Sequence, residues 1–360
     1  MLRILNLSGD AYTIGQEHGA QVADLRPKIL RAMQVRLAPL RQKITGLDPS
    51  LKKITQIWEV HSPGTLAMLH GMADSLALPW DDYFPYTIAS YLTDQLKNRG
   101  PREGCTTWAA AGEMTRDGAP LLAKNRDYRP DHQALQCLAR IEPTHGHPYL
   151  CLTSAGSPGV FSSGMNAAGL AVADTHVVSN NIGPGIARYS LMMHLLEQFS
   201  RVSEAVDYLG AVPHFGDGTV ILADAQGDMA VFELAHSVQA VRRPAGGFLV
   251  STNHFSAPQT HTHWVDTNPP RLQGNSQARR QHVEAALISS RSQVDVPWAQ
   301  TLLAQHGDDL SAICRHPEVE AHAVTISAVI FLPQQASLYV TEGLPCQTPF
   351  ELHRIDSHNN

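Results

Sequence analysis

The sequence predicts an α+β fold in which antiparallel sheets are covered by helices. Two observations carry this. First, helical periodicity fills the opening third, and strand-like pieces then come in hairpin-like groups around paired helices. A parallel doubly wound sheet would alternate strand and helix regularly instead. Second, hydrophobic residues make up 43% of the 360 residues and charged residues 17%, so the chain can build a large core without a disulfide framework. The length suggests two or three domains, although large layered folds reach it as one unit.

The elements follow in order. Residues 2–7 read as a short apolar strand ended by Ser8, Gly9 and Asp10. Residues 10–40 and 54–78 carry apolar residues at helical spacing, with Pro27 near a helix start and Pro63-Gly64 as a break. Residues 94–104 form a polar run that reads as an exposed loop. Beyond it, 106–111 is β-prone, 113–118 looks like a hairpin turn with Asp117-Gly118 at its tip, and 120–126 is the return strand. Further strands are expected at 149–154, 169–175, 219–223, 229–234 and 247–251. Helices are expected at 187–199, 203–209 and 279–289, and a closing hairpin at 323–332 and 336–341. No internal repeat is present.

Several function classes lose support. A net charge of −6 argues against a general nucleic-acid binder. No apolar window is long enough to span a membrane, and the start lacks a signal-peptide pattern, so a soluble cytoplasmic protein of a reducing compartment is expected. Five cysteines lie far apart with no C-x-x-C pair, which speaks against a disulfide scaffold and against a cysteine-type zinc site. The nucleophile elbow, the H-E-x-x-H helix, the P-loop and the dinucleotide fingerprint are all absent. No cofactor is expected.

The informative place is Gly104-Cys105-Thr106-Thr107, where a polar loop ends in Gly and a Cys opens a strand. Such a Cys can present its sulfur at a sheet edge, or it can be a small buried hydrophobe. The hairpin return brings Lys124-Asn125-Arg126-Asp127-Tyr128 beside it, and a carboxylate and a cation near a thiol set its protonation. Thr252-Asn253-His254-Phe255 ends a later strand, and an Asn amide there can serve as an oxyanion donor. His261-x-His263 hints at a metal, but no third ligand accompanies it at a standard spacing, so these histidines are read as a loop at the pocket rim and no metal is expected.

Together these segments resemble the acyl-coenzyme A:6-aminopenicillanic acid acyltransferase family, cysteine-type N-terminal nucleophile (Ntn) hydrolases. The opening Gly9, Tyr12-Thr13-Ile14-Gly15 and His18-Gly19 look like that family's propeptide start. Gly104-Cys105 looks like its self-cleavage junction, and Asn125-x-Asp127 like its post-hairpin pair. Gly164 to Leu170, the segment at Asp224, Thr252-Asn253-His254-Phe255, Ser276-x-x-Arg279 and Glu342-Gly343-Leu344-Pro345 resemble its later pieces.

The resemblance implies a four-layer αββα sandwich, two antiparallel sheets between helical layers. It also implies a precursor cut between Gly104 and Cys105, with residues 1–104 as α chain and 105–360 as β chain of one domain. Cys105 would then be the nucleophile, with its freed amino group as base. Asp127 would hold that ammonium, and Asn253 would be the oxyanion donor. Arg279, in reach of a pair with Asp127, would give electrostatic support; Arg280 adjoins it as an alternative. Asn125, Lys124 and His254 would bind substrate. The implied partner is a small N-acyl compound, cleaved or used as acyl donor, with acyl-coenzyme A as an alternative donor. A non-processed ligand-binding relative of the same fold is the other reading, and a homo-oligomer is left open.

Overall fold

The computed structural model describes residues 2–41, 48–96, 104–157, 160–308, 310–316 and 323–355. Strand β1 (Arg3–Gly9) leads into helices α1 (Ala11–Gln21) and α2 (Arg26–Leu37). The Asp10 carboxylate accepts a 2.8 Å hydrogen bond from the Thr13 amide and so satisfies an orphan donor at the start of α1. Pro27 sits in the first turn of α2, where a missing N–H costs nothing, so the stretch expected over 10–40 divides there.

Helices α3 (Asp48–His61) and α4 (Pro63–Leu76) are separated at Pro63 as its position implies. Two further helices, α5 (Trp80–Thr87) and α6 (Ala89–Gln95), escape the periodicity because both are short and Pro85 interrupts the first. The α1–α4 contact depends on two glycines. A Cβ on Gly15 would strike the Met68 carbonyl, and one on Gly71 would strike the Tyr12 carbonyl. The polar run 94–104 begins inside α6, with Asp94 buried, and its residues 97–103 lie outside the described residues.

The strands are β2 (Thr106–Ala110), β3 (Leu121–Tyr128), β4 (Gln136–Pro143), β5 (Tyr149–Ser154), β6 (Ser163–Asn166) and β7 (Ala171–His176). After helices α7 (Arg188–Gln198) and α8 (Val202–Ala211) come β8 (Gly218–Ala223), β9 (Met229–Ala235), β10 (Val238–Arg242) and β11 (Phe248–Ser251). Helices α9 (Asn275–Ser289) and α10 (Val296–Leu303) precede β12 (Val324–Leu332), β13 (Ser337–Val340) and β14 (Glu351–Arg354). Among the described residues no helix is long and apolar enough to cross a membrane.

One sheet has the order β1-β4-β5-β6-β7-β8-β9-β10, antiparallel throughout except for the parallel pair β1/β4. The other has the order β11-β2-β3-β12-β13-β14 and is antiparallel throughout. Three hydrophobic clusters define the layers. The first joins α1 to α8 with one face of the eight-stranded sheet, as in Trp58, Leu69 and Tyr83 against Cys151 and Leu222. The second lies between the sheets, with Leu150 and Ile221 meeting Leu122 and Phe331. The third joins the six-stranded sheet to α9 and α10 through Trp108, Val283 and Leu303. The result is the four-layer αββα sandwich. Strands covered on both faces read as continuous apolar runs, and β8 and β9 are buried at every position.

The first hairpin differs from expectation. Ala110 pairs with Leu121, but the connection is not a tight Asp-Gly turn. It makes a 3-10 turn at Gly112–Met114, Gly112 N donates to Gly118 O at 3.1 Å, and Arg116 N donates to Val294 O at 3.0 Å. Gly112 and Gly118 take φ of 61° and 79°, and this widens the loop so that it packs on the segment before α10.

Candidate active site

The β2/β3 register places Thr106 opposite Asn125, which brings the Gly104–Cys105 junction alongside Asp127. Gly104 N donates to the Asp127 carbonyl at 3.3 Å, and the Cys105 Sγ lies 3.9 Å from the same oxygen. Cys105 is 4% exposed and lines a cleft. On β3, Lys124 and Arg126 also face this cleft. A register shift in β12 between Thr325 and Ser327, opposite Asp127 and Arg126, interrupts the strand alternation, and Asp127 and Tyr128 both reach the cleft as well.

Asp127 is fully buried. The Thr325 hydroxyl donates to its Oδ1 at 2.7 Å, whereas its Oδ2 accepts no hydrogen bond among the described residues. Arg315 Nη1 stands 3.9 Å from Oδ2. Burial raises the carboxyl pKa, and the nearby Arg315 and Arg279 offset this only in part. A Cβ on Gly104 would meet the Arg315 guanidinium and lie 3.1 Å from Asp127 Oδ2, so a larger residue there would push the Arg315 side chain aside.

Arg279, on α9, is 1% exposed. Its Nη1 donates to the Cys105 carbonyl at 2.7 Å and to Thr106 Oγ1 at 2.8 Å, and its Nη2 donates to Asn253 Oδ1 at 2.8 Å. The helix supplies a further brace, since Arg279 Nε donates to Asn275 Oδ1 at 3.0 Å. Burial, with Arg315 nearby, lowers its pKa to about 10. The cation beside Asp127 is therefore Arg315, while Arg279 spends its donors on the strand end and Asn253. Arg280 pairs with Glu284 at 2.7 Å on the same helix and does not enter this network.

A buried charge network forms another wall. Lys124 Nζ donates to Asp174 Oδ1 at 2.7 Å and to the Ser162 carbonyl at 3.0 Å. Arg188 Nε holds the other Asp174 oxygen at 2.9 Å and also pairs with Asp217. Burial alone would raise Asp174; Lys124 and Arg188 outweigh it, so the pKa is lowered. Aromatic rings also line the cleft: Tyr91 of α6 stacks on Phe215 at 4.1 Å, and Arg126 lies 5.3 Å over Phe161.

Of the expected site residues Cys105, Lys124 and Asp127 line the cleft, whereas Gly104, Arg279, Asn125, His254 and Asn253 do not. Asn125 points to the other face of β3, where its Nδ2 donates to the Leu303 and Ile313 carbonyls at 2.8 and 2.9 Å, so it ties α10 to the sheet. His254 turns toward the start of α9, with Nδ1 2.7 Å from Ser276 Oγ and 3.1 Å from Thr252 Oγ1. Burial and the neighbouring Arg280 and Arg279 lower its pKa to about 3, which keeps the ring neutral. Asn253 is joined to Cys105 through Arg279, but its Nδ2 donates to the His176 carbonyl at 2.8 Å. His261 and His263 engage the Pro258 carbonyl and Asn180 separately. His306, Cys314, His316 and Cys346, which lie apart in sequence, converge in space.

Sequence reasoning missed Arg315, Asp174, Arg188 and Asp217. Each is brought in by a distant element, and the only local signal was a pattern-free charge in an apolar neighbourhood.

This arrangement, a buried thiol at a strand head beside a buried aspartate, defines a cysteine-centred cleft in an αββα sandwich. The chain matches the family model of acyl-coenzyme A:6-aminopenicillanic acid acyl-transferase over residues 114–347, and it belongs to that family. The match begins after the Cys105 junction. No curated protein sequence matches the chain. Among solved structures it is similar to a mutant of the conjugated bile acid hydrolase from Clostridium perfringens, with 16% identity, 71% of this chain and 99% of that one covered, and a TM-score of 0.44. It is also similar to the Caenorhabditis elegans N-acylethanolamine-hydrolyzing acid amidase ortholog, with 18% identity, 64% and 93% covered, and a TM-score of 0.47. For penicillin V acylase from Agrobacterium tumefaciens the values are 13%, 66% and 83%, and 0.42.

Proposed function

We propose that this chain is a self-processing cysteine amidohydrolase or acyltransferase that acts on a small N-acyl compound through a Cys105 acyl-enzyme. The observation that carries it is the buried Oδ2 of Asp127 beside the Gly104–Cys105 peptide, which accepts no hydrogen bond among the described residues and faces the Arg315 guanidinium at 3.9 Å. A buried acceptor without a hydrogen bond costs free energy, and a charged donor created at that spot would satisfy it. Cleavage before Cys105 creates such a cation, its own α-ammonium.

In the processing step the Cys105 sulfur attacks the Gly104 carbonyl carbon. The C–N bond breaks, the nitrogen takes a proton, and a thioester forms. Water then hydrolyses the thioester, leaving a Gly104 carboxylate on the α chain, 1–104, and a free thiol and amine on the β chain, 105–360. The α-amino group has a reference pKa of about 7.7–8.0, so near neutral pH it can take the thiol proton directly or through one water. In turnover the thiolate attacks the substrate carbonyl and expels the amine; water or a second amine then releases the acyl group. Asp127 orients the ammonium. Arg279 fixes the strand end, and Asn253 serves as oxyanion donor once its amide leaves the His176 carbonyl. Lys124 and Arg126 face the bound compound.

Denaturing mass analysis tests this reading. The wild-type chain should yield two pieces divided before Cys105, and Cys105→Ala should stay whole and inactive toward N-acyl amides. A wild-type chain that remains single and unreactive sinks it, and favours the ligand-binding reading. Acyl transfer is distinguished from hydrolysis by adding an amine acceptor and following the new amide.

A further inference from the structure

The four residues His306, Cys314, His316 and Cys346 lie apart from the cleft and are used by nothing above. Their ligand atoms all lie within 4.8 Å of one another. Cys314 Sγ is 3.6 Å from Cys346 Sγ, and His316 Nε2 is 3.1 Å from His306 Nε2, 3.2 Å from Cys346 Sγ and 3.9 Å from Cys314 Sγ. A tetrahedral zinc with Zn–S near 2.3 Å and Zn–N near 2.0–2.1 Å has S···S, S···N and N···N edges of about 3.8, 3.6 and 3.3 Å. The four separations given lie within about 0.4 Å of these edges, the whole set lies within 4.8 Å, and the sulfurs are far from a disulfide's spacing of about 2.05 Å.

The fold builds the group from separate segments. After α10 the chain turns back: Ile313 N and Cys314 N both donate to the Gln305 carbonyl, at 3.1 and 2.8 Å, and this lays His306 against Cys314 and His316. Cys346 arrives from the segment after β13, in a turn closed by Gln347 N and Thr348 N on the Leu344 carbonyl at 3.0 Å. Two soft thiolates and two imidazoles prefer zinc over calcium or magnesium, and ligand atoms all within 4.8 Å of one another suit a single ion rather than the two-iron cluster that the same ligand types hold elsewhere.

We infer that His306, Cys314, His316 and Cys346 bind one Zn2+ ion in a closed structural site. Binding releases the two thiol protons and leaves no open position for substrate. The ion pins the 305–316 segment to the C-terminal turn. Arg315 lies between two of the ligands, and its backbone is bonded to β12: Arg315 N donates to Thr325 Oγ1 at 2.9 Å, and Thr325 N donates to Arg315 O at 3.0 Å. The ion therefore also anchors the segment that holds the Arg315 guanidinium 3.9 Å from Asp127.

The test uses the full chain purified under reducing conditions, with metal measured by elemental analysis and by cobalt substitution. One zinc per chain, and a cobalt form with thiolate-to-metal charge transfer and tetrahedral d–d bands, are expected. Cys346→Ser should lose the metal and the charge-transfer intensity. His306→Ala removes the exposed ligand, so its fold does not depend on that side chain, and it should weaken zinc affinity by about tenfold or more. A chain that takes up neither ion overturns the inference. So does unchanged affinity in both variants, or a Cys314–Cys346 disulfide in the reduced preparation. None of these readouts depends on self-cleavage.

Discussion

Arg279 donates a 2.7 Å hydrogen bond to the carbonyl of Cys105, so the strand head that carries the sulfur is held by a helix 174 residues later in the chain. The same guanidinium holds Asn253 Oδ1 and Asn275 Oδ1. Arg279→Lys keeps the charge but loses the fork, and it leaves at least one buried acceptor unsatisfied at about 1–3 kcal/mol each. Thermal unfolding should shift down, and processing measured by intact mass should slow. Arg280→Lys, on the pair with Glu284, should change neither. Equal effects from the two variants would contradict the assignment.

Asp127 gives a pH-dependent prediction. Burial raises its folded-state pKa above 3.8, so the intact native chain holds this proton more tightly than the unfolded chain does. Its contribution to stability is therefore best at low pH and is lost as pH rises through the interval above 3.8. In a Cys105→Ala background, Asp127→Asn should be at least as stable as Asp127 at neutral pH, with the difference shrinking toward acid. In the otherwise wild-type chain the same change should lower processing and turnover by about 10²-fold or more. Melting curves against pH and single-turnover rates check the two halves.

Gly104 is the third site. A Cβ would meet the Arg315 guanidinium, so Gly104→Val should slow cleavage while leaving the Cys105 thiol in place. Time courses of the two-chain fraction read this directly. Cleavage as fast as wild type would mean that the junction moves away from Arg315 before it reacts.

Lys124 and Asp174 form a buried pair, with Arg188 on the second oxygen. Lys124→Met leaves Asp174 less compensated and should cost about 3–5 kcal/mol, a typical loss for breaking one side of a buried pair. The Asp174 pKa is lowered from 3.8 in the native chain, so its stability is present above 3.8 and is lost as pH falls below it. In Lys124→Met that acid loss should begin at higher pH. Urea titrations from neutral to acid pH measure it.

Much of the fold was legible from local rules. Pro27 and Pro63 divide helices where they stand, and the 323–332 and 336–341 strands pair as a hairpin because apolar β-branched runs flank a short turn. Strands β4, β6, β10 and β14 were not anticipated. β6 has four residues, and β10 and β14 carry polar residues on open edges, so their periodicity is weak. Helices α5 and α6 were hidden by Pro85 and by their brevity, yet α6 and the turn before it bring Tyr91 and neighbouring residues to the cleft. In the site, Cys105 and Asp127 could be paired in advance because one hairpin joins them. His254 and Asn125 were misplaced, since a one-residue change of face on a strand or a turn at its end redirects a side chain without altering the pattern.

By itself the sequence determined the antiparallel, helix-covered class and the approach of Cys105 to Asp127, because both follow from short-range periodicity and a single hairpin. Only the tertiary structure decided which cation stands beside Asp127, that Lys124, Asp174, Arg188 and Asp217 form one network, and that His306, Cys314, His316 and Cys346 meet. Those neighbours come from elements distant in the chain, and their proximity depends on sheet order and loop closure, which leave no periodic trace among the residues they join.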